Sequence, residues 1–260
     1  MEEDMNVPVN PFKQALRDRR MQLGLWSGLS SHVTVEVLAN AGFDWLLIDT
    51  EHSPNELPMV HSQLQAVARG ATHPIVRPTW NDTVVIKRLL DIGAQTLLIP
   101  FVENADEARN AVAATRYPPL GVRGYAAAAR ASDFGRIKDY PHACEEQLCV
   151  ILQVETPAAL ANIEAIAAVD GVDGIFIGPG DLAASMSHIG QIGHPDVVAA
   201  IDDALARIRA TGTPAGILAS DEKLARRWIE QGVDFIAVGS DTGLLARGAE
   251  QLAARFKNVA

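Results

Sequence analysis

Residues 149–168 read CVILQVETPAALANIEAIAA, and this stretch contains the unit from which the fold is built. Its first seven residues are apolar apart from Gln153 and Glu155, as expected of a strand that is covered on both faces. Thr156 and Pro157 then supply a capping residue and a proline at the first helical position, and an alanine-rich segment of helical period follows. The stretch therefore predicts a buried parallel strand followed at once by an α-helix.

The same order of apolar strand and helical segment recurs along the 260-residue chain. Eight strands are predicted, at residues 22–28, 43–50, 74–79, 96–101, 149–155, 174–179, 214–219 and 235–240. Helical segments are predicted at residues 55–69, 104–115, 157–168, 196–211, 221–231 and 241–257. Two more capping boxes, Ser53 with Glu56 and Asn104 with Glu107, indicate where helices begin.

Eight such units without a break in composition favour one α/β domain, a closed (β/α)8 TIM barrel, over residues 11–260. Residues 1–10 are interpreted as an N-terminal extension that is disordered or derived from cloning. An open doubly wound sheet is the alternative, but it usually has about five to seven strands, and no glycine-rich fingerprint follows the first strand here. The long irregular stretch 116–148 is a candidate lid or oligomer contact.

Composition and charge exclude several classes of protein. The chain is 48% hydrophobic and 21% charged, which is typical of a globular domain, and its net charge of −10 argues against a nucleic-acid partner. The two cysteines, Cys144 and Cys149, are too few for a disulfide framework or a cysteine zinc site. The acidic start lacks the apolar core of a signal peptide, and no apolar run reaches the roughly 18–20 residues of a membrane span. We therefore expect a soluble, cytoplasmic protein with no membrane partner.

In a TIM barrel the active site lies at the carboxyl ends of the strands, so polar residues there are candidates for chemistry. Gln153 and Glu155 point to the same side of one strand, and Asp181 follows the next strand. Carboxylates from adjacent strand ends suit a hard divalent cation such as Mg²⁺ or Mn²⁺. Two alternatives stay open: Asp181 as a helix cap, and Glu155 as an ion-pair partner of Arg77.

His52 and Arg77 are the other candidates at the strand ends. His52 lies between the second strand and the next helix, where a structural and a catalytic role are equally well supported. Arg77 ends the third strand, where it needs an anion, either a ligand or a structural partner such as Glu51 or Glu155. None of the five lysines lies at a predicted strand end, which argues against imine chemistry and leaves a metal as the group that polarises a carbonyl.

At these residues the sequence resembles the class II pyruvate-dependent aldolases, also called the hydroxyketoacid aldolase family. That family includes the 4-hydroxy-2-oxoheptane-1,7-dioate aldolases and the 2-keto-3-deoxy sugar acid aldolases. Five motifs in order carry the resemblance, which extends over residues 12–256. They are Asp49-Thr50-Glu51-His52-Ser53-Pro54, Val76-Arg77-Pro78, Leu90-Asp91-Ile92-Gly93-Ala94, Gln153-Val154-Glu155-Thr156 and Gly178-Pro179-Gly180-Asp181-Leu182.

The resemblance implies a function and a set of roles. The function is reversible, metal-dependent aldol cleavage of 4-hydroxy-2-oxo acids to pyruvate, or a hydroxypyruvate-type donor, and an aldehyde, with Mg²⁺, Mn²⁺ or Co²⁺ as cofactor. It implies that Glu155 and Asp181 bind the metal, that Gln153 contacts the substrate, and that the amides of Gly180 and Asp181 bind the pyruvate carboxylate. It implies that Arg77 stabilises the enolate and that His52, made more basic by Asp91, transfers the proton. Trp26 and Leu218 would form the aldehyde pocket. The sequence departs from the family at Gly180, where a small side chain such as alanine is expected.

The resemblance also implies a homohexamer, a dimer of trimers, in which the C-terminal helix is exchanged between neighbouring subunits. Such a contact is supported by four apolar residues spaced along one face of that helix: Leu244, Leu245, Leu252 and Phe256.

Three other functions remain as alternatives. They are a lyase acting on CoA thioesters such as citramalyl- or malyl-CoA, a phosphosugar isomerase or synthase using Gly239-Ser240 as a phosphate site, and a non-catalytic oligomeric scaffold.

Overall fold

The eight predicted strands form one closed barrel. The structure, a computed structural model, describes residues 6–257. Neighbouring strands pair in parallel and in chain order, and the last strand pairs with the first, so the TIM barrel is confirmed. Each strand begins and ends within two residues of its predicted bounds. The strands are β1 Gln22–Ser27, β2 Trp45–Asp49, β3 His73–Arg77, β4 Thr96–Ile99, β5 Cys149–Val154, β6 Gly174–Ile177, β7 Ala215–Leu218 and β8 Phe235–Ser240.

Helices surround the barrel and connect successive strands. They are α1 Pro11–Arg17, α2 His32–Leu38, α3 Leu57–Val67, α4 Thr83–Asp91, α5 Ala105–Thr115, α6 Tyr140–Ala143, α7 Pro157–Ala161, α8 Ile163–Ala167, α9 Pro179–Ser185, α10 Pro195–Ala210, α11 Glu222–Glu230 and α12 Asp241–Lys257. The predicted helix 157–168 is two helices, because it breaks at Asn162. The Asn162 side-chain amide donates to the carbonyl oxygens of Glu103 and Ala158.

Two of the three predicted helix caps are confirmed, and one is wrong. Asn104 accepts from the Glu107 amide at 3.0 Å, and Thr156 accepts from the Ala159 amide at 3.0 Å. The Ser53 box does not form, since α3 begins only at Leu57. Ser53 and Asn55 instead donate to the carbonyl oxygen of Asp49, so the segment folds back over the end of β2.

The interior of the barrel is filled from its amino-terminal end. Helix α1 inserts Phe12, which is 1% exposed and packs against Trp45, His73 and Phe235. Asn10, at the N-cap of this helix, is equally buried and donates to the hydroxyl of Thr96 at 2.9 Å. The extension proposed for residues 1–10 therefore does not include Asn10, and residues 1–5 lie outside the described residues. A barrel plugged at this end leaves the opposite mouth for a polar site.

The stretch 116–148 is folded against the barrel by a buried cation. The Arg123 side chain is fully buried, its guanidinium carbon lies 4.6 Å from the ring centre of Tyr117 and 5.7 Å from that of Tyr140, and it donates to Asp91 at 3.0 Å. Short 3₁₀ turns at residues 130–132 and 144–147 flank α6. Whether this stretch is a lid or an oligomer contact stays a prediction.

Helix α12 extends away from the barrel. After Asp241 none of its residues is buried, and Leu244, Leu245, Leu252 and Phe256 are each more than half exposed. Among residues 6–257, no helix is both long and apolar enough to cross a bilayer. Cys144 and Cys149 are both buried, and neither forms a disulfide.

Candidate active site

A buried ion-pair network lies at the carboxyl ends of β2 and β3. Arg77, the last residue of β3, donates through Nε and Nη2 to the two carboxylate oxygens of Asp49, at 2.8 and 2.7 Å. Its Nη1 lies 2.8 Å from Glu51 Oε2. The guanidinium carbon is 5.0 Å from the ring centre of Trp26, whose indole nitrogen also donates to Asp49. Of the partners left open by the sequence, the structure therefore gives Arg77 the carboxylate of Glu51, and it adds that of Asp49.

The two carboxylates of this network have pKa values shifted in opposite directions by burial and nearby charges. Burial alone would raise the pKa of Asp49, but the hydrogen bonds and charge of Arg77 outweigh it and lower that pKa. Burial raises the pKa of Glu51, and Arg77 offsets this only in part because the charges of Asp49 and Asp181 act in the other direction. Glu51 is thus the carboxylate of the network that gains most from a further cation.

Glu155 is a buried carboxylate just beyond the end of β5. It is 1% exposed, and its oxygens accept from the Phe101 amide at 2.9 Å and from the side-chain amide of Gln153 at 2.6 Å. Burial raises its pKa to about 7, and the nearby charges of Glu51 and Asp181 act in the same direction. Phe101 could not be identified from the sequence, because it contributes a backbone N–H and its position depends on a positive φ of 51°.

The glycine that follows β6, Gly178, makes room for this carboxylate. A Cβ at Gly178 would overlap Glu155 Oε2 and lie 3.0 Å from the side-chain amide of Gln153. A Cβ at Gly180 would meet nothing within 4 Å. The alanine expected at Gly180 is therefore sterically permitted in this fold, whereas a side chain at Gly178 is not.

Asp181, Gln153 and His52 complete the mouth. Asp181 is half-buried in the first turn of α9, close enough to raise the pKa of both Glu51 and Glu155. The Gln153 oxygen is buried without a hydrogen-bond partner among the described residues. The His52 side chain is 60% exposed, with Nε2 4.0 Å from Glu51 Oε2. Asp181 and His52 are thus both close to the carboxylate of Glu51, and Gln153 is hydrogen-bonded to Glu155.

The arrangement fits a divalent cation. Arg77 is the one guanidinium placed among four carboxylates, those of Asp49, Glu51, Glu155 and Asp181. Arg77 forms ion pairs with the first two, whereas Glu155 and Asp181 form none within the described residues. A buried carboxylate next to a second one is stable as an anion only if a cation compensates both. Oxygen ligands of this kind suit Mg²⁺ or Mn²⁺.

Asp91 lies away from the mouth within one chain, and its predicted role towards His52 stays a prediction. It is the last residue of α4, which runs back from the end of β3 towards the amino-terminal side of the barrel, and it pairs with Arg123 at 3.0 Å. Within one chain it therefore does not reach His52, which lies at the opposite end. Trp26 is only 8% exposed and belongs to the interior cluster, and Leu218 packs against the edge of that cluster.

Comparison with known proteins identifies the family. Residues 22–248 match the family described as HpcH/HpaI aldolase/citrate lyase. The chain belongs to this family. It is 58% identical over 252 residues to a pyruvate aldolase of Rhizobium etli, covering 97% of this chain and 99% of the relative. It is also 58% identical over 248 residues to a 4-hydroxy-2-oxo-heptane-1,7-dioate aldolase of Salmonella dublin, covering 95% and 94%.

A solved structure gives the same result. A HpcH/HpaI aldolase/citrate lyase family protein from Burkholderia cenocepacia superposes with a TM-score of 0.93 at 42% identity, covering 96% of this chain and all of the other. The resemblance inferred from the five motifs is confirmed, and the chain is an enzyme of the carbon–carbon lyase class. None of these matches assigns roles to individual residues, so those roles are proposals.

The two glycines offer a matched test of the metal site. We expect Gly178→Ala to weaken divalent-metal binding by at least about tenfold, because the new methyl displaces the Glu155 carboxylate. Gly180→Ala should leave metal affinity within about twofold of wild type, since its Cβ meets no atom. Isothermal titration with Mn²⁺ measures both, and equal affinities in the two variants would contradict the assignment of Glu155.

Proposed function

We propose that the protein catalyses reversible, metal-dependent aldol cleavage of 4-hydroxy-2-oxo acids, giving pyruvate or a hydroxypyruvate-type donor and an aldehyde. The observation that carries this proposal is the mouth of the barrel, where Glu155 and Asp181, which form no ion pair among residues 6–257, lie near the ion pairs of Arg77 with Asp49 and Glu51. The names of relatives at 58% identity support the same reaction class.

Glu155 and Asp181 are the residues that would hold the divalent metal. Bound there, Mg²⁺, Mn²⁺ or Co²⁺ supplies a Lewis acid that polarises the 2-oxo group of the substrate. Gly178 leaves room for the Glu155 carboxylate because it has no Cβ, and the hydrogen bonds from Phe101 and Gln153 fix the orientation of that carboxylate. The Glu155 ligand is therefore held in place before a metal binds.

Arg77 provides a fixed cation where negative charge develops on the substrate. A guanidinium has five N–H donors, and two of those of Arg77 donate to Asp49, while Nη1 makes a charge contact with Glu51 at 2.8 Å, so N–H donors remain for the substrate. Because the carboxylates and Trp26 hold the group before substrate arrives, little reorganisation is needed during the reaction.

Three backbone and side-chain groups are positioned to bind the oxo acid. The amides of Gly180 and Asp181 lie in the first turn of α9, where backbone N–H groups have no intrahelical acceptor, and they can bind the substrate carboxylate. The unpartnered oxygen of Gln153 can accept from a substrate hydroxyl. Trp26 and Leu218 would form the floor and one wall of the aldehyde pocket.

His52 is proposed as the base that takes the 4-hydroxyl proton. Its side chain is the exposed titratable group of the mouth, and the carboxylate that lies near it is Glu51 rather than Asp91. We expect His52→Ala to lower kcat by about 10²–10⁴ with metal affinity unchanged, because the ring makes no contact with Glu155. Stopped-flow aldol cleavage and Mn²⁺ titration measure the two quantities; a parallel loss of both would argue against this role.

The competing functions receive less support. A CoA-thioester lyase shares the metal ligands and the arginine, and it stays the alternative. The Ser240 hydroxyl, suggested as part of a phosphate site, lies 3.0 Å from the Thr242 hydroxyl and accepts from the Gly243 amide at 3.0 Å. Ser240 thus caps α12.

The proposed assembly is a homohexamer in which α12 is exchanged between subunits. The exposed leucines and phenylalanine of α12 support it, since a helix that buries no apolar side chain on its own barrel gains stability by packing on another. Size-exclusion chromatography with light scattering tests the proposal. A cytoplasmic location stays a prediction.

The decisive experiment is pyruvate condensation with a panel of aldehydes after EDTA treatment and after addition of Mg²⁺, Mn²⁺ or Co²⁺. We expect no product in EDTA and recovery with the metal. Cleavage of citramalyl- or malyl-CoA with no activity on hydroxyoxo acids would establish the alternative lyase, and activity that persists in EDTA would overturn both.

A further inference from the structure

An aromatic pair lies next to the buried carboxylate of Glu155. Trp80 belongs to the loop after β3 and Phe101 to the loop after β4, so both lie at the carboxyl ends of the strands, on the side of the mouth. Their rings stack with centres 5.4 Å apart and planes inclined by 27°. The backbone amide of Phe101 in turn donates to Glu155 Oε1 at 2.9 Å. Trp80 is therefore linked to Glu155 through a single residue.

The backbone at Phe101 has a conformation that phenylalanine rarely adopts. Its φ of 51° lies in the left-handed region, which is unfavourable for a residue with a Cβ unless surrounding contacts stabilise it. In this conformation the Phe101 amide donates to Glu155, and the amide of Val102 donates to the carbonyl oxygen of Gln153 at 3.1 Å. Contacts that hold the Phe101 side chain therefore also maintain the hydrogen bond to Glu155.

The loop that carries Trp80 is anchored on both sides, although the Trp80 side chain is 54% exposed. The Trp80 carbonyl oxygen accepts from the Asp82 amide at 2.9 Å, and the Asp82 side chain caps α4. The Asn81 side chain donates to the carbonyl oxygen of Glu107 in α5 at 3.1 Å. Because the backbone is already fixed by these contacts, the indole loses little conformational entropy when it stacks on Phe101.

We propose that Trp80 is a positioning residue for the metal site. Its ring supports Phe101 in the left-handed conformation and so keeps the Phe101 amide on the Glu155 carboxylate. This role rests on the proposed function, in which Glu155 binds the metal. A stacked aromatic pair is strong enough to change an equilibrium that depends on it by about two- to tenfold. A tryptophan that served only as a subunit contact would instead affect assembly and leave this hydrogen bond unchanged.

Hydrogen exchange of the metal-free protein, followed by mass spectrometry in EDTA, tests the positioning directly. Trp80→Leu should raise the exchange rate of the Phe101 amide by about two- to tenfold, because the amide leaves Glu155 more often. Trp80→Phe keeps a ring against Phe101 and should restore the wild-type rate. Phe134→Leu is the matched control and should not change it, since Phe134 is also exposed but borders a cavity shared with His73 at the start of β3.

Metal binding is the second measurement. In isothermal titration, Trp80→Leu should weaken Mn²⁺ binding by about two- to tenfold, whereas Trp80→Phe and Phe134→Leu should bind Mn²⁺ as wild type does. Light scattering should give the same assembly size for all three variants.

The two measurements separate the failure of this proposal from the failure of the proposed function. Unchanged exchange at Phe101 in Trp80→Leu would overturn the proposal, and so would faster exchange with unchanged Mn²⁺ affinity or a change in assembly alone. If wild type itself binds no Mn²⁺, the proposed function is wrong, and the link from Trp80 to a metal is wrong with it. Exchange in EDTA would then still show whether Trp80 supports Phe101.

Discussion

Replacing Arg77 by methionine should lower kcat for aldol cleavage by about 10²–10³, because the variant lacks the cation that faces the developing negative charge. It should also destabilise the fold by about 3–5 kcal/mol, because Asp49 and Glu51 are left buried without their partner. Steady-state kinetics and urea unfolding of the same preparation measure the two effects. Metal affinity should not fall, because Arg77 donates to neither Glu155 nor Asp181.

A second buried ion pair provides the control variant for an effect of lost stability alone. Lys13 lies 3.0 Å from Asp173 at the amino-terminal end of the barrel, far from the mouth, and both side chains are largely buried. Lys13→Met should therefore cost stability and leave kcat unchanged. Arg77→Lys keeps the charge but cannot pair with both oxygens of Asp49, so it should lie between wild type and Arg77→Met. If Lys13→Met lowers kcat as strongly as Arg77→Met, the proposed role of Arg77 is wrong.

The strands and the polar groups at their ends could be predicted because each depends on local pattern. An apolar run such as 149–154 is readable without its neighbours, and the barrel rule then places Glu155 and Asp181 at one mouth. Short helices were harder to predict from the sequence pattern. Helix α2 has the sequence HVTVEVL, whose β-branched residues carry no clear helical period, and α9 begins with proline and glycine.

The contacts inside the site could not be predicted, because they depend on three-dimensional arrangement. The sequence left Arg77 with either Glu51 or Glu155 as its partner, and the structure gives it Asp49 and Glu51. The hydrogen bond from the Phe101 backbone amide to Glu155 cannot be predicted from a pattern of residue types, because every residue except proline has a backbone N–H. Asp91 was placed by motif alone, and the direction of α4 carries it to the other end of the barrel.

Glu155 should show the largest effect on metal binding. We expect Glu155→Gln to weaken Mn²⁺ binding by more than about tenfold and to abolish aldol activity, because one of two carboxylate ligands is lost while its hydrogen-bonded position is kept. In wild type, metal affinity should fall below pH 7, since the metal must displace the proton from a carboxyl group whose pKa is about 7. Mn²⁺ titrations between pH 5.5 and 8 measure this.

The same carboxyl group should leave a signature in the stability of the metal-free protein. In EDTA the folded chain holds the Glu155 proton up to about pH 7, whereas the unfolded chain releases it near the ordinary glutamate pKa of 4.5. Stability should therefore fall as the pH rises through this window, by on the order of 3 kcal/mol. Burial lowers the pKa of His73 to about 4, which gives a slope of opposite sign between about pH 4 and 6.5.

Because these slopes overlap, the comparison is between wild type and Glu155→Gln at each pH. The variant lacks the Glu155 titration and keeps that of His73, so it should be more stable than wild type at pH 8 in EDTA and lose this advantage towards pH 5. Saturating Mg²⁺ should reverse the order at pH 8, since only wild type gains stability from the metal. A stability difference that does not vary with pH would mean that Glu155 is not the buried acid that the cation neutralises.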